Sequence, residues 1–236
     1  QAEDGIRDSE TWLEFRRVLS DLYFISTTSN YNVKENLHLD INTNLNVLME
    51  VLEYCKNTDT IFNYISTGFV YGNDILDAKE TDPCDPKGFY SITKRAAEQL
   101  LVSFCETFDV KYRIIRSASI YGHDKTQSST KNVLGHMVNL LKADAPITLY
   151  DNGEYYRDYM HVDDVCKAIY SVLYRTDYNQ IINIGSGIPQ NFREIIDFVI
   201  KETNSTSKIT AIDAVDFHKI VQVKDMYLDV NKLNNL

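Results

Sequence analysis

Glycine is scarce in this chain of 236 residues, with nine in all, and proline and cysteine number four each. So little glycine and proline excludes a collagenous or low-complexity chain. The cysteines Cys55, Cys84, Cys105 and Cys166 form no C-x-x-C pair. Neither a zinc site nor a disulfide framework is therefore signalled, and the expectation is a reducing compartment with no bound metal. No apolar run approaches the ~18–20 residues of a membrane span. Basic residues are in the minority, 24 Lys and Arg against 34 Asp and Glu, for a formal charge of −10. A field of that sign opposes binding to nucleic acid or to an anionic membrane, and neither is expected as a partner. An anionic ligand would need local cations to overcome it. The opening residues QAEDGIRDSE are acidic and polar, unlike a signal peptide, so the expected location is cytoplasmic. The sequon Asn204-Ser205-Thr206 is read as chance.

What remains is a globular composition, 44% apolar and 25% charged. Short apolar runs alternate with longer amphipathic ones. Strands are expected at 22–25, 60–65, 111–115, 147–150 and 181–184. Helices are expected at 42–56, 94–108, 133–142, 163–174 and 192–202. Alternation at this spacing argues for an α/β fold with a doubly wound parallel sheet. The stretch 126–130 reads as a loop. A smaller C-terminal lobe is placed after it, dividing the chain into 1–125 and 126–236, with about 157–185 returning to the main sheet.

One constellation carries chemistry. Tyr90 and Lys94 lie four apart at a helix start, one turn apart on one face. A tyrosine with a pKa of ~10 is a poor base at neutral pH, and a nearby ammonium favours its phenolate. Taken alone, such a pair in a chain with 16 tyrosines is more simply chance on a solvated face. Its surroundings change that. Upstream, Ile65-Ser66-Thr67-Gly68-Phe69-Val70-Tyr71-Gly72 runs from a strand into a turn, where an open α/β sheet places ligand chemistry. Downstream stand Arg116-Ser117-Ala118-Ser119-Ile120-Tyr121-Gly122, then Tyr156-Arg157-Asp158-Tyr159-Met160-His161-Val162-Asp163-Asp164, then Asn183-Ile184-Gly185-Ser186-Gly187.

This ordered set resembles the extended short-chain dehydrogenase/reductase family, in particular its nucleotide-sugar epimerases and dehydratases, over nearly the whole chain. The resemblance implies a Rossmann-like sheet with a smaller substrate lobe, a cofactor (NAD, with NADP not excluded) and a nucleoside-diphosphate sugar as substrate. Tyr90 is then the catalytic acid/base. Lys94 lowers its pKa and binds the nicotinamide ribose. Thr67 polarises the reacting sugar oxygen, with Ser66 as the alternative hydroxyl. Ser26 and Thr27 stand where the family's chain passes the cofactor. Arg157 matches the arginine that grips the substrate diphosphate, its other reading being an ion pair with Asp158 or Asp163. Ser119 replaces an Asn that touches that diphosphate. The strand at 147–150 resembles one beside the nucleotide base. Helices 42–56 and 89–108 resemble those of the family's homodimer interface, with Leu100, Leu101 and Phe104 supplying apolar surface. His161 is read as part of a capped strand-to-helix turn, and Gly185-Ser186-Gly187 is rejected as a cofactor loop.

The departures matter equally. The family's Gly-x-x-Gly-x-x-Gly loop is absent from these residues, Gly5-Ile6-Arg7-Asp8 stands where an Asp-Ile or Asp-Leu pair holds adenine, with Gly5 in place of the Asp, and the family's last elements are missing after Leu236. The expectation is a part of a longer enzyme. The alternative is a non-catalytic relative that binds a sugar nucleotide or a partner. Gly68-Phe69 replaces the Asp-Glu of the 4,6-dehydratases, which favours an epimerase or a related reductase.

Overall fold

The computed structural model describes residues 22–73, 75–122 and 132–236. The expectations for residues 5–8 and 126–130 fall outside them. Four parallel strands form the central sheet in the order β1-β2-β3-β7: β1 (Leu22–Tyr23), β2 (Ile61–Thr67), β3 (Lys111–Ser117) and β7 (Gln180–Ile184). The alternation of each strand sends its apolar residues to both faces. Phe62, Tyr64, Tyr112 and Ile114 meet α2 (Val47–Cys55) and α3 (Gly88–Phe108) in one core. Ile115, Ile182 and Ile184 meet Val165, Ile169 and Val172 of α5 (Val162–Leu173) in a second core on the other face. Two helical layers around one parallel sheet make the architecture doubly wound and Rossmann-like.

Two smaller sheets flank it. β4 (Ser119–Tyr121), β6 (Tyr156–His161) and β8 (Pro189–Asn191) form one, and β5 (Ile147–Tyr150) and β9 (Ile209–Ile212) the other. α4 (Val133–Lys142) and α6 (Phe192–Thr203) cover an apolar cluster of Leu141, Ile147, Leu149, Phe192 and Ile196. Of residues 157–185, β7 and α5 pack in or on the parallel sheet, while β6 pairs outside it.

Several elements differ from expectation. β1 stops at Tyr23, and Phe24 and Ile25 are exposed. The helix expected from 42 begins as α1 (Leu39–Ile41) and passes through a π-turn (Asn42–Asn46) before α2. Buried Asn44 sits inside that turn and bonds outward to Thr27 and Thr93. A π-bulge of this kind admits such an inward residue. α3 begins at Gly88, six residues before the expected start. Its first turn is capped from a distance: the Tyr90 N–H donates to Asn30 Oδ1 at 3.0 Å. Gly88 is at φ +75°, and a Cβ there would lie 2.5 Å from that same oxygen. Leu101 is wholly buried in the chain's own core, so it gives no surface to a dimer; Leu100 is exposed and Phe104 packs on Phe108 at 4.7 Å.

Candidate active site

Thr67 ends β2, at the carboxyl edge of the sheet where open α/β folds place ligands. Its hydroxyl accepts from the Phe69 N–H at 3.3 Å. Tyr90, in the first turn of α3, is half-buried. Burial is the main influence on its phenol and pushes the pKa up to about 12. The Thr67 hydroxyl eases this and the charge of Asp40 adds to it.

Lys94 follows one turn later, wholly buried. Its Nζ donates to the Ile65 carbonyl at 2.5 Å and lies 4.2 Å from the centre of the Tyr64 ring. Burial pulls its pKa down from 10.5 to about 7, and Glu98 works against that fall. Its ammonium is thus turned to the strand backbone and to the Tyr64 ring. Tyr90 stands above its ordinary pKa.

The remaining expected residues divide into two groups. Thr27 and Ser66 point inward. Thr27 donates its hydroxyl to Asp40 Oδ1, its N–H bonds Asn44, and Asn44 bridges to Thr93 on α3. This ties the 26–28 stretch to the catalytic helix. Ser66 is buried and donates to Glu98 Oε1 at 2.5 Å. Ser26, Ser119 and Arg157 are partly open. Ser119 on β4 pairs with Tyr159 of β6, two residues from Arg157. The Arg157 guanidinium donates to the carbonyls of Tyr156, Val223 and Lys224, and lies 5.5 Å from the Phe69 ring and 5.0 Å from the Tyr155 ring. Neither Asp158 nor Asp163 takes it as an ion-pair partner. Asp158 faces the other way, and Asp163 lies 3.5 Å from His161. The arginine is thus held by backbone carbonyls beside the Phe69 and Tyr155 rings, and among the described residues no carboxylate is bonded to it.

Asp158 also explains the Gly-Ser-Gly turn. It is fully buried and accepts from Ser186 N at 2.8 Å, Ser186 Oγ at 2.6 Å and Gly187 N at 3.1 Å. The amides of that turn are occupied by the protein's own carboxylate, so they are not a phosphate cradle. His161 caps α5 by accepting from the Asp163 N–H at 3.3 Å and meets Tyr121 edge-on at 5.3 Å. Past Arg157, Tyr159 and His161 line a cleft of about 880 Å³ together with Tyr121, Asn132 and Glu194. Tyr90, Lys94 and Thr67 lie outside its walls.

The sequence matches the NAD dependent epimerase/dehydratase family over residues 17–185. The chain belongs to that family. One relative, named "Putative UDP-glucose 4-epimerase", from Methanocaldococcus jannaschii, is 25% identical over 98% of this chain and 74% of its own length. A dTDP-D-glucose 4,6-dehydratase of Mus musculus is 30% identical over 62% of this chain and 42% of its own. The chain thus spans less than half the length of that second relative. Among solved structures, the UDP-glucose 4-epimerase of Thermotoga maritima with UDP-glucose superposes with a TM-score of 0.83, over 91% of this chain and 69% of that one, at 22% identity. That likeness shows the shared Rossmann fold.

The residues present fit the family's dinucleotide at its nicotinamide-ribose end. Lys94 has an ammonium with three donors, of which one is engaged by Ile65. Tyr90 and Ser26 are partly exposed, and Phe24 and Ile25, next to Ser26 in the chain, are exposed. Sequence reasoning missed Asp40, Asn44, Asn30, Arg116 and Glu98. Only Glu98 had a local signal, since it continues the four-residue step from Tyr90 through Lys94.

Proposed function

We propose that this chain carries the catalytic half of an NAD-dependent epimerase acting on a nucleoside-diphosphate sugar. The observation that carries the reading is Thr67 at the end of β2 together with Tyr90 and, one helical turn behind it, buried Lys94, whose Nζ is bonded to the Ile65 carbonyl two residues before Thr67. NAD, when bound, supplies the reversible oxidant for a sugar carbinol carbon. Tyr90 Oη takes the proton of the sugar hydroxyl and returns it when the keto group is reduced. Thr67 Oγ1 orients the reacting oxygen. Bringing Tyr90 from about 12 to neutral pH takes about 7 kcal/mol at ~1.36 kcal/mol per pH unit. Thr67 alone, through one hydrogen bond worth about 1 kcal/mol, does not supply that. The loaded site needs further positive charge, and Lys94 is the protein group within one turn able to contribute it. Arg157 and Ser119 bind the diphosphate. The planar fork of Arg157 suits phosphate oxygens, and its charge offsets the acidic field of the chain.

An epimerase is favoured over a 4,6-dehydratase by the residues after Thr67. Elimination of water needs an acid and a base there, and this chain has Gly68 and Phe69. A side chain at 68 would press on Met226 Sδ at 3.0 Å and Leu228 at 3.1 Å, and the Phe69 ring lies beside Arg157. Exposed Phe89, Ile92 and Leu100 on α3 support a homodimer. Among the described residues no helix is long and apolar enough to cross a membrane.

The test is turnover of a panel of UDP- and dTDP-sugars with added NAD by the natural full-length protein. Epimerised sugar nucleotide is expected, and Tyr90→Phe should lower kcat by about 10²–10⁴. A 4-keto-6-deoxy product, or a variant as active as the parent, would overturn the assignment.

A further inference from the structure

Glu98 lies one turn beyond Lys94 on α3 and is completely buried. Four hydrogen bonds saturate its carboxylate. Ser66 Oγ donates to Oε1 at 2.5 Å, Arg116 Nε to Oε1 at 3.1 Å, Arg116 Nη2 to Oε2 at 2.8 Å and Arg95 Nη1 to Oε2 at 2.8 Å. Strand alternation explains the convergence: Ser66 and Arg116 are register partners on β2 and β3, and both point to the α3 face. Two consecutive residues of β2 are therefore each held from one face of one helix. The Ile65 carbonyl takes Lys94, and the Ser66 hydroxyl reaches Glu98.

Charge makes this more than a packing detail. Arg116, Arg95 and Lys94 are three cations around one carboxylate, and Arg116 and Lys94 are both wholly buried. Buried charges without a partner are strongly disfavoured. Arg116 and Arg95 cannot release a proton in this range; Lys94 can. We propose that Glu98 is a positioning residue that keeps Lys94 protonated and anchors the end of β2 at Ser66, so that its negative charge sets the upper pH limit of the catalytic pair. The proposal rests on Tyr90 and Lys94 being the working pair. The groups facing Lys94 are Glu98 from its own helix and Tyr64 and the Ile65 carbonyl from β2; Arg95, and Arg116 of β3, act through Glu98, with Cys84 beside Arg116. Asp40, across the Thr27–Asn44–Thr93 chain, acts on Tyr90.

The test is an NMR titration of isotope-labelled lysine side chains in the full chain, with Lys94→Met supplying the assignment. In Glu98→Gln the Lys94 midpoint should fall by one pH unit or more, a tenfold loss of proton affinity. An unchanged midpoint in a folded Glu98→Gln protein overturns the proposal. If that variant does not fold, Arg95→Gln decides, because Arg95 is partly exposed and its removal leaves more of the Glu98 field to Lys94. A rise of the midpoint supports the proposal, and no change or a fall overturns it. The same midpoints should reappear as the alkaline limb of kcat. A protein with no epimerase activity whose Lys94 still responds to Glu98 would refute the proposed function and leave the clamp standing. An active enzyme whose Lys94 ignores Glu98 would do the reverse.

Discussion

Replacing Lys94 by methionine should make this protein more stable at acid pH. The side chains are similar in length, and the site is closed to water, with Lys94 1% exposed. Its pKa falls from 10.5 to about 7, chiefly because burial penalises the ammonium. In the unfolded chain the lysine keeps its proton to about pH 10.5. Between pH 7 and 10.5 the unfolded state therefore binds a proton that the folded state has lost, so stability rises with pH across that window. Below pH 7 both states are protonated and the full penalty applies. At ~1.36 kcal/mol per pH unit the ceiling is about 5 kcal/mol. Methionine escapes that penalty and loses the hydrogen bond to Ile65, worth about 1 kcal/mol. With partial relaxation around the ammonium, a net gain of about 1–3 kcal/mol at pH 6 is expected, shrinking to nothing or reversing by pH 10. Urea unfolding of parent and variant at pH 6, 8 and 10 measures the difference directly, and other titrating groups cancel in it. A variant less stable than the parent at pH 6, or a difference that does not change with pH, would refute the reasoning. A stabilising loss of a residue marks that residue as kept for chemistry rather than for folding.

Asp40→Asn removes a charge that holds the Tyr90 pKa up, so a pH titration of the tyrosine by NMR should find its midpoint lowered. Arg157→Leu should raise KM for a nucleoside-diphosphate sugar by about 10–100-fold with a smaller change in kcat, consistent with loss of a charge-assisted phosphate contact; steady-state kinetics decide. Gly185→Ala places a Cβ 2.3 Å from Asp158 Oδ2 and should lower stability by about 2 kcal/mol or more in thermal melts.

Where local patterning decides structure, the sequence was legible. α4 and β5 occupy the expected residues, because an amphipathic stripe and a β-branched run each point one way. Thr67 does end a strand and Tyr90 and Lys94 do share a helix, but spacing alone made that pair more simply chance, and its reading came from the ordered motifs around it. β6 was not read as a strand. Tyr-Arg-Asp-Tyr-Met-His shows no apolar alternation, and its most buried residue is Asp158. The start of α3 was misplaced because its cap, Asn30, lies sixty positions upstream. The polar network beneath the site was invisible for the same reason: Asn44 meets Thr93 and Ser66 meets Glu98 only once the sheet has formed.

β6 carries one further consequence. Arg157 and Asp158 are adjacent, and the pleat sends the first to the Phe69 and Tyr155 rings and the second into the Gly-Ser-Gly turn. A slip by one residue would seat a carboxylate among carbonyls and aromatic faces, and a guanidinium among N–H donors. Each charge would meet only groups of its own polarity. The strand therefore proofreads its own alignment, and it does so at the segment that carries Arg157. Evolutionary changes of length should accumulate before it, around the tight turn at Asp151–Gly153, and stop at Tyr156.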